Sequence, residues 1–131
     1  MAARNTITVD DRESTPDSHD FVPVGDNGNM ALFRETGVVP EVDSKLNISW
    51  KFDGPKKKVR LTLAVPKAVT ETINGVDRVT SQFVNYGDVT FTFSAQSTLQ
   101  ERKNIVGMLA NALAASQSVV DSTLTGLEEI W

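Results

Sequence analysis

The chain contains no cysteine, which removes disulfides and thiolate metal ligands and fits a protein kept in a reducing cytoplasm. It has one histidine, His19, in the polar stretch DDRESTPDSHD, with no second imidazole or thiol to share a metal ion or a nucleophile. His19 is therefore expected to be solvent exposed and chemically idle. No apolar run approaches the roughly 20 residues of a membrane helix, and the start MAARNTITVDD has no hydrophobic signal region, so a soluble, unexported protein with no membrane partner is expected. Nothing matches a phosphate-binding loop, a dinucleotide fingerprint or a nucleophile elbow. GDNGN at 25–29 lacks the later bidentate acid of a calcium loop and reads as a plain turn. No catalytic residue, cofactor, metal or small-molecule substrate is assigned, and an enzyme is not expected. At 131 residues, one domain spanning 1–131 with a modest core is the default.

Positive charge is also scarce, and what there is lies mostly in one place. The formal net charge is −4, yet residues 45–67, KLNISWKFDGPKKKVRLTLAVPK, hold seven Lys and Arg against the single acid Asp53, leaving six bases against sixteen acids elsewhere. The same stretch has a strand pattern. Leu46, Ile48, Trp50 and Phe52 alternate with Lys45, Asn47, Ser49 and Lys51; beyond the Asp53-Gly54-Pro55 turn, Val59, Leu61, Leu63 and Val65 alternate with Lys58, Arg60 and Thr62. This predicts a hairpin with one apolar face and one polar, cationic face. A run such as Lys56-Lys57-Lys58 is most often a solvated turn, so charge alone is weak evidence for nucleic acid.

The remaining segments extend the same sheet. Residues 5–10, with Ile7 and Val9 inward, and Phe21-Val22-Pro23-Val24 predict an N-terminal hairpin with a charged connection, Pro23 sitting at an edge or outside the ladder. Met30 to Glu35 is expected to be a strand, and Thr36-Gly37-Val38-Val39-Pro40 a connection. Asn74-Gly75 marks the turn of a long, flexible hairpin tip spanning about 70–82. In the next strand Tyr86, Asp88, Thr90 and Thr92 lie opposite in parity to Val89, Phe91 and Phe93.

At Ser97 the period changes. Thr98 followed by Glu101 fits a capping box, and Ile105, Val106, Leu109, Ala112 and Leu113 form an apolar stripe of some four helical turns, rich in small residues. A second stripe, Val120, Leu124, Leu127 and Trp131, predicts a second helix after a break at 116–118. The fold class is thus α+β: an N-terminal β-hairpin (1–29), a five-stranded antiparallel sheet (30–95) and two C-terminal α-helices (97–131). Two short helices cover only part of such a sheet, and its free edges invite a second copy, so an intimate homodimer and a two-layer monomer are both open on these grounds.

Several strings and their order resemble the coat proteins of the small single-stranded RNA bacteriophages, the leviviruses: TGVVP before the central hairpin, VPKAVTETINGV at 65–76, NYGDVTFTF at 85–93 and STLQERKNIVGML at 97–109. The resemblance covers essentially the whole chain. It implies an interlocked homodimer with a continuous ten-stranded sheet, its helices paired through Ile105, Val106, Leu109 and Leu113, assembling into an icosahedral T=3 shell around the genome in the host cytoplasm. It also implies a translational repressor whose sheet grips an RNA stem-loop at the replicase start. Carried over position by position, the RNA contacts are Asn47, Ser49, Lys51, Lys58, Arg60, Thr62, Tyr86 and Asp88, with Met30 on the apolar wall of a base pocket. On that reading Lys58 and Arg60 meet phosphates, Tyr86 stacks on an unpaired base, and Asn47, Ser49 and Thr62 read base edges. The chain departs from the best-studied relatives at Asn47 and in having Arg60 before Thr62, so the preferred loop sequence is not carried over. The competing function is a stand-alone dimeric RNA-binding regulator that does not assemble.

Overall fold

Alternation of apolar and polar residues dominates the first two thirds of the chain, and the computed structural model turns it into an antiparallel sheet. It describes residues 3–35 and 40–131; the expected connection Thr36 to Val39, with most of the TGVVP string, lies outside the described residues. Six strands follow in order, β1 (Ile7–Asp10), β2 (Ser18–Asp26), β3 (Met30–Glu35), β4 (Ser44–Lys51), β5 (Lys56–Ile73) and β6 (Val76–Ser94), then helices α1 (Leu99–Ala112) and α2 (Ser118–Gly126). Each strand lies beside its neighbours in sequence, in the order β1-β2-β3-β4-β5-β6. The chain divides into two compact units, Met1–Thr92 and Phe93–Trp131.

The fold class holds: a hairpin, an antiparallel sheet and two C-terminal helices. The strand count is six, because β6 runs unbroken where a separate strand was expected, and the N-terminal hairpin is continuous with the sheet through β2. β2 pairs with β1 over Ser18 to Phe21 and with β3 over Val22 to Asp26, so it has a strand on one side only where Pro23 falls. Pro23 pairs with Phe33 next to an irregularity between Pro23 and Gly25. A one-sided, bulged position is where a residue without an N–H does least damage to a ladder. The β5–β6 connection is a two-residue turn, Asn74 at φ 52° and Gly75 at φ 77°. Residues 70–73 and 76–82, expected as a flexible tip, lie in the two strands. Both central residues of a primed hairpin turn need positive φ, which Asn and Gly tolerate best.

Register sorts side chains into rows, since partners directly opposite share a face. Pro23, Phe33, Leu46 and Leu63 form one row across β2 to β5, and Ala31, Ile48 and Leu61 another. Phe21, Ala31, Phe33 and Leu46 are the buried core, with Ile7, Ile48, Trp50 and Leu63 packed against it. Three expected inward residues are exposed. Phe52 lies beyond the end of β4 in the turn, and Val9 and Val65 are likewise exposed.

In the second unit the capping box is present in full: Thr98 Oγ1 accepts from the Glu101 amide at 3.2 Å, and Glu101 Oε1 accepts from the Thr98 amide at 3.1 Å. The bond from the Thr98 amide, followed by the Thr98 side chain, holds the Glu101 carboxyl below its ordinary pKa. α2 is shorter than its apolar stripe suggested. It ends at Gly126, Leu127 takes the left-handed conformation at φ 57°, and Trp131 lies beyond the helix.

Candidate nucleic-acid interface

The polar face of the sheet is built by the same register that builds the core. Met30, Ser49 and Arg60 lie in one row across β3, β4 and β5; Leu32, Asn47 and Thr62 form the next; Lys51 and Lys58 face each other at the turn end of β4 and β5. Asp88 joins the first row from β6: Arg60 Nε donates to Asp88 Oδ1 at 3.0 Å and to Oδ2 at 2.9 Å, and Nη2 also bonds Oδ2. Tyr86, two residues before Asp88, projects from the same face of its strand and is 75% exposed. All nine positions carried over from the resemblance therefore fall on one surface of the first unit. Asn47, Ser49, Thr62 and Met30 are half-buried, whereas Lys51, Lys58, Arg60, Tyr86 and Asp88 are exposed.

The charges on this surface are of two kinds. Lys51 and Lys58 are like charges directly opposite one another, an arrangement that is unfavourable across a strand pair and is relieved by an anion. Arg60 is instead matched: its hydrogen bonds to Asp88 raise the guanidinium further above its usual range and lower the Asp88 carboxyl. Of the three consecutive lysines, Lys57 has the parity of the apolar face and bonds the Phe52 carbonyl across the turn, leaving Lys56 and Lys58 on the polar side. Lys45 also lies on that side, paired with Arg34 and Ala64. Its strand parity showed this in the sequence, although it was not among the expected contacts.

His19 differs from its expectation. It lies in β2 and is half-buried, with Nε2 at 2.7 Å from Asp11 Oδ2 and Nδ1 at 2.7 Å from Glu35 Oε2. The two carboxylates sit on opposite edges of the ring, so the three groups do not converge on a metal position. Both nitrogens face acceptors, which favours the doubly protonated ring, and its pKa is raised accordingly, by Asp11 first and Glu35 second.

The helix residues expected at a dimer interface are also placed. Ile105, Val106 and Leu109 lie on α1 and Leu113 caps it, each at least 36% exposed in the single chain. No helix among the described residues is long and apolar enough to cross a membrane.

The levivirus coat protein family model matches residues 2–131. The chain belongs to that family. The capsid protein of Pseudomonas phage PRR1 is 34% identical over 131 residues, covering 99% of this chain and 100% of its own length. Among solved structures, the virus-like particle of bacteriophage ESE058 superposes with a TM-score of 0.88 at 21% identity, covering 99% of this coat protein and 100% of the ESE058 chain. A chain described as an unassembled virus coat protein dimer and a bacteriophage RNA-binding dimer matches with a TM-score of 0.73 at 16% identity, over 99% of each chain. At these identities the structural likenesses speak to the fold of this coat protein; the family model and the PRR1 relative carry its membership.

Proposed function

We infer that this coat protein forms an interlocked homodimer, assembles from dimers into an icosahedral shell around a single-stranded RNA genome, and uses the polar face of its sheet to bind an RNA stem-loop. The observation that carries the reading is the division of the sheet by register. One face supplies the apolar rows, and the other carries Asn47, Ser49 and Thr62 beside the opposed pair Lys51 and Lys58, with Tyr86 exposed on β6. Lysines at such a position neutralise phosphates without reading sequence, an exposed tyrosine offers a ring to an unpaired base, and half-buried amide and hydroxyl groups discriminate base edges. The exposed stripe from Ile105 to Leu113 is the surface a second copy would cover. A stem-loop at the replicase start, bound this way, would silence that gene and mark the genome for packaging.

Assembly separates this reading from a stand-alone RNA-binding regulator. Size-exclusion chromatography and electron microscopy of the expressed protein are expected to show RNA-filled particles of megadalton size that dissociate to dimers. Dimers alone, under every condition that preserves the fold, would leave only the regulator.

A further inference from the structure

An asparagine followed by glycine can react with its own backbone. The glycine nitrogen, unhindered by a side chain, attacks the asparagine side-chain carbonyl carbon; a C–N bond closes a cyclic imide and the amide nitrogen leaves as ammonia. Water then opens the imide at either carbonyl, giving aspartate or, with the main chain rerouted through the side chain, isoaspartate. Asparagine plus water thus becomes an acid plus ammonia, with no enzyme, cofactor or oxidant. The chain has two such steps, Asn27-Gly28 and Asn74-Gly75, and the fold holds them differently.

We propose that Asn74 is a self-modifying site, whose deamidation is gated by opening of the β5–β6 tip. The turn at Asn27 is anchored: the Asn27 amide donates to the Met30 carbonyl at 2.9 Å, and the Asn29 carbonyl accepts from the Trp50 amide of β4 at 2.9 Å. The turn at Asn74 stands apart from the rest of the sheet. The register of β5 with β4 ends at Ala64, so the tip projects as a two-stranded arm, and residues 71–78 are exposed throughout. An arm of two strands is marginally stable by itself and opens at little cost. Across its turn, Thr72 Oγ1 donates to Asp77 Oδ1 at 2.7 Å.

The closed turn is itself protective. Asn74 is left-handed, at φ 52°, and the ψ of about +47° that goes with this conformation sets the Gly75 nitrogen nearly opposite the Asn74 Cβ across the Cα–C bond. Attack needs the two eclipsed, so Asn74 must first leave the left-handed region, which breaks the primed turn. The reaction therefore records openings of the tip. Its products do not restore the original turn: isoaspartate adds a methylene to a two-residue loop, and either product adds a carboxylate between Glu71 and Asp77 in the chain. On the shell reading above, a tip held in contacts between dimers opens less, and assembly preserves the amide.

Peptide mapping by mass spectrometry of the purified full-length protein, incubated at mildly alkaline pH, follows ammonia loss at both asparagines. Rates in urea, where neither turn exists, normalise the two sites. In folded, unassembled protein the normalised rate is expected to be several-fold higher at Asn74 than at Asn27. Thr72→Val removes the cross-turn hydroxyl but keeps a β-branched residue in the strand. It is expected to speed Asn74 by roughly twofold to tenfold, the factor carried by one hydrogen bond, and to leave Asn27 unchanged. Equal normalised rates at the two sites, or an Asn74 rate unmoved by Thr72→Val, would overturn gating by the tip. Assembled particles are expected to convert Asn74 more slowly than unassembled protein. Equal conversion in the two, with the Thr72→Val effect intact, would uphold the site and overturn instead the tip's place in the shell.

Discussion

At the level of single residues, His19 shows what a sequence conceals. Asp11 is eight positions from it and Glu35 sixteen, and nothing in their spacing announces that strand pairing brings all three together. Asp11 is further held by the Glu13 and Asp17 amides at 3.1 and 3.0 Å, and with the imidazole these lower its carboxyl to about 2, the His19 contact being the largest cause. The two shifts have opposite consequences for pH. The raised His19 contributes stability that is fully present below about 6.5, the unfolded value, and is lost as pH rises through its folded value. The lowered Asp11 contributes above about 3.9 and is lost as pH falls toward 2. The N-terminal hairpin should therefore be most protected between these limits. Amide hydrogen exchange at Asp10 to His19, followed from pH 5 to pH 9, is expected to speed up beyond its intrinsic pH dependence in the wild type but not in His19→Gln. Equal protection profiles for the two proteins would remove the charge contribution. The Arg60–Asp88 contact was hidden for the same reason: parity placed each residue on the polar face, but a side-chain contact between residues 28 apart in the chain has no local signature.

Elements were far more legible, because periodicity and caps are local. The alternation in residues 45–67 gave both the hairpin and the division of its faces, and Thr98 with Glu101 marked the start of α1 to the residue. Thr98→Ala removes a side-chain cap and half of the box and is expected to cost about 1 kcal/mol, read as a lower thermal midpoint without loss of dimer. What periodicity could not show was where α2 stops: Leu127 and Trp131 continue the apolar stripe in spacing, but the backbone turns left-handed at Leu127. The β5–β6 tip is a further test. Its ladder runs to Ile73 and resumes at Val76, so Gly75→Val places a β-branched residue at φ 77° and should fray the tip while leaving the central rows intact. On the proposed function, shortening the tip around Asn74-Gly75 is expected to spare dimers and to weaken or abolish particles. Particles of unchanged size and thermal stability after shortening would show that the tip makes no shell contact.

For the molecule as a whole, the single chain is short of core. Among the described residues, only Phe21, Ala31, Phe33 and Leu46 of the apolar side chains are buried. A core this small leaves apolar surface of the kind that obligate homodimers remove from water. Leu109→Asp would place a charge in the stripe on α1 and is expected to give no soluble dimer by analytical ultracentrifugation; a folded, soluble dimer of that variant would contradict interlocking through α1. If the apolar face is closed by a second copy, the polar face of the joined sheet is left for RNA. The most direct measurement is the affinity of the purified wild-type dimer for the replicase-start hairpin of its own genome beside a scrambled hairpin of the same length, with Tyr86→Ala as the companion. The account predicts clear preference for the native hairpin and a loss of about 1–3 kcal/mol in Tyr86→Ala, the usual contribution of one base stacked on an aromatic ring. Equal affinity for the two hairpins, with no loss in Tyr86→Ala, would contradict it and leave a shell that gathers RNA by charge alone.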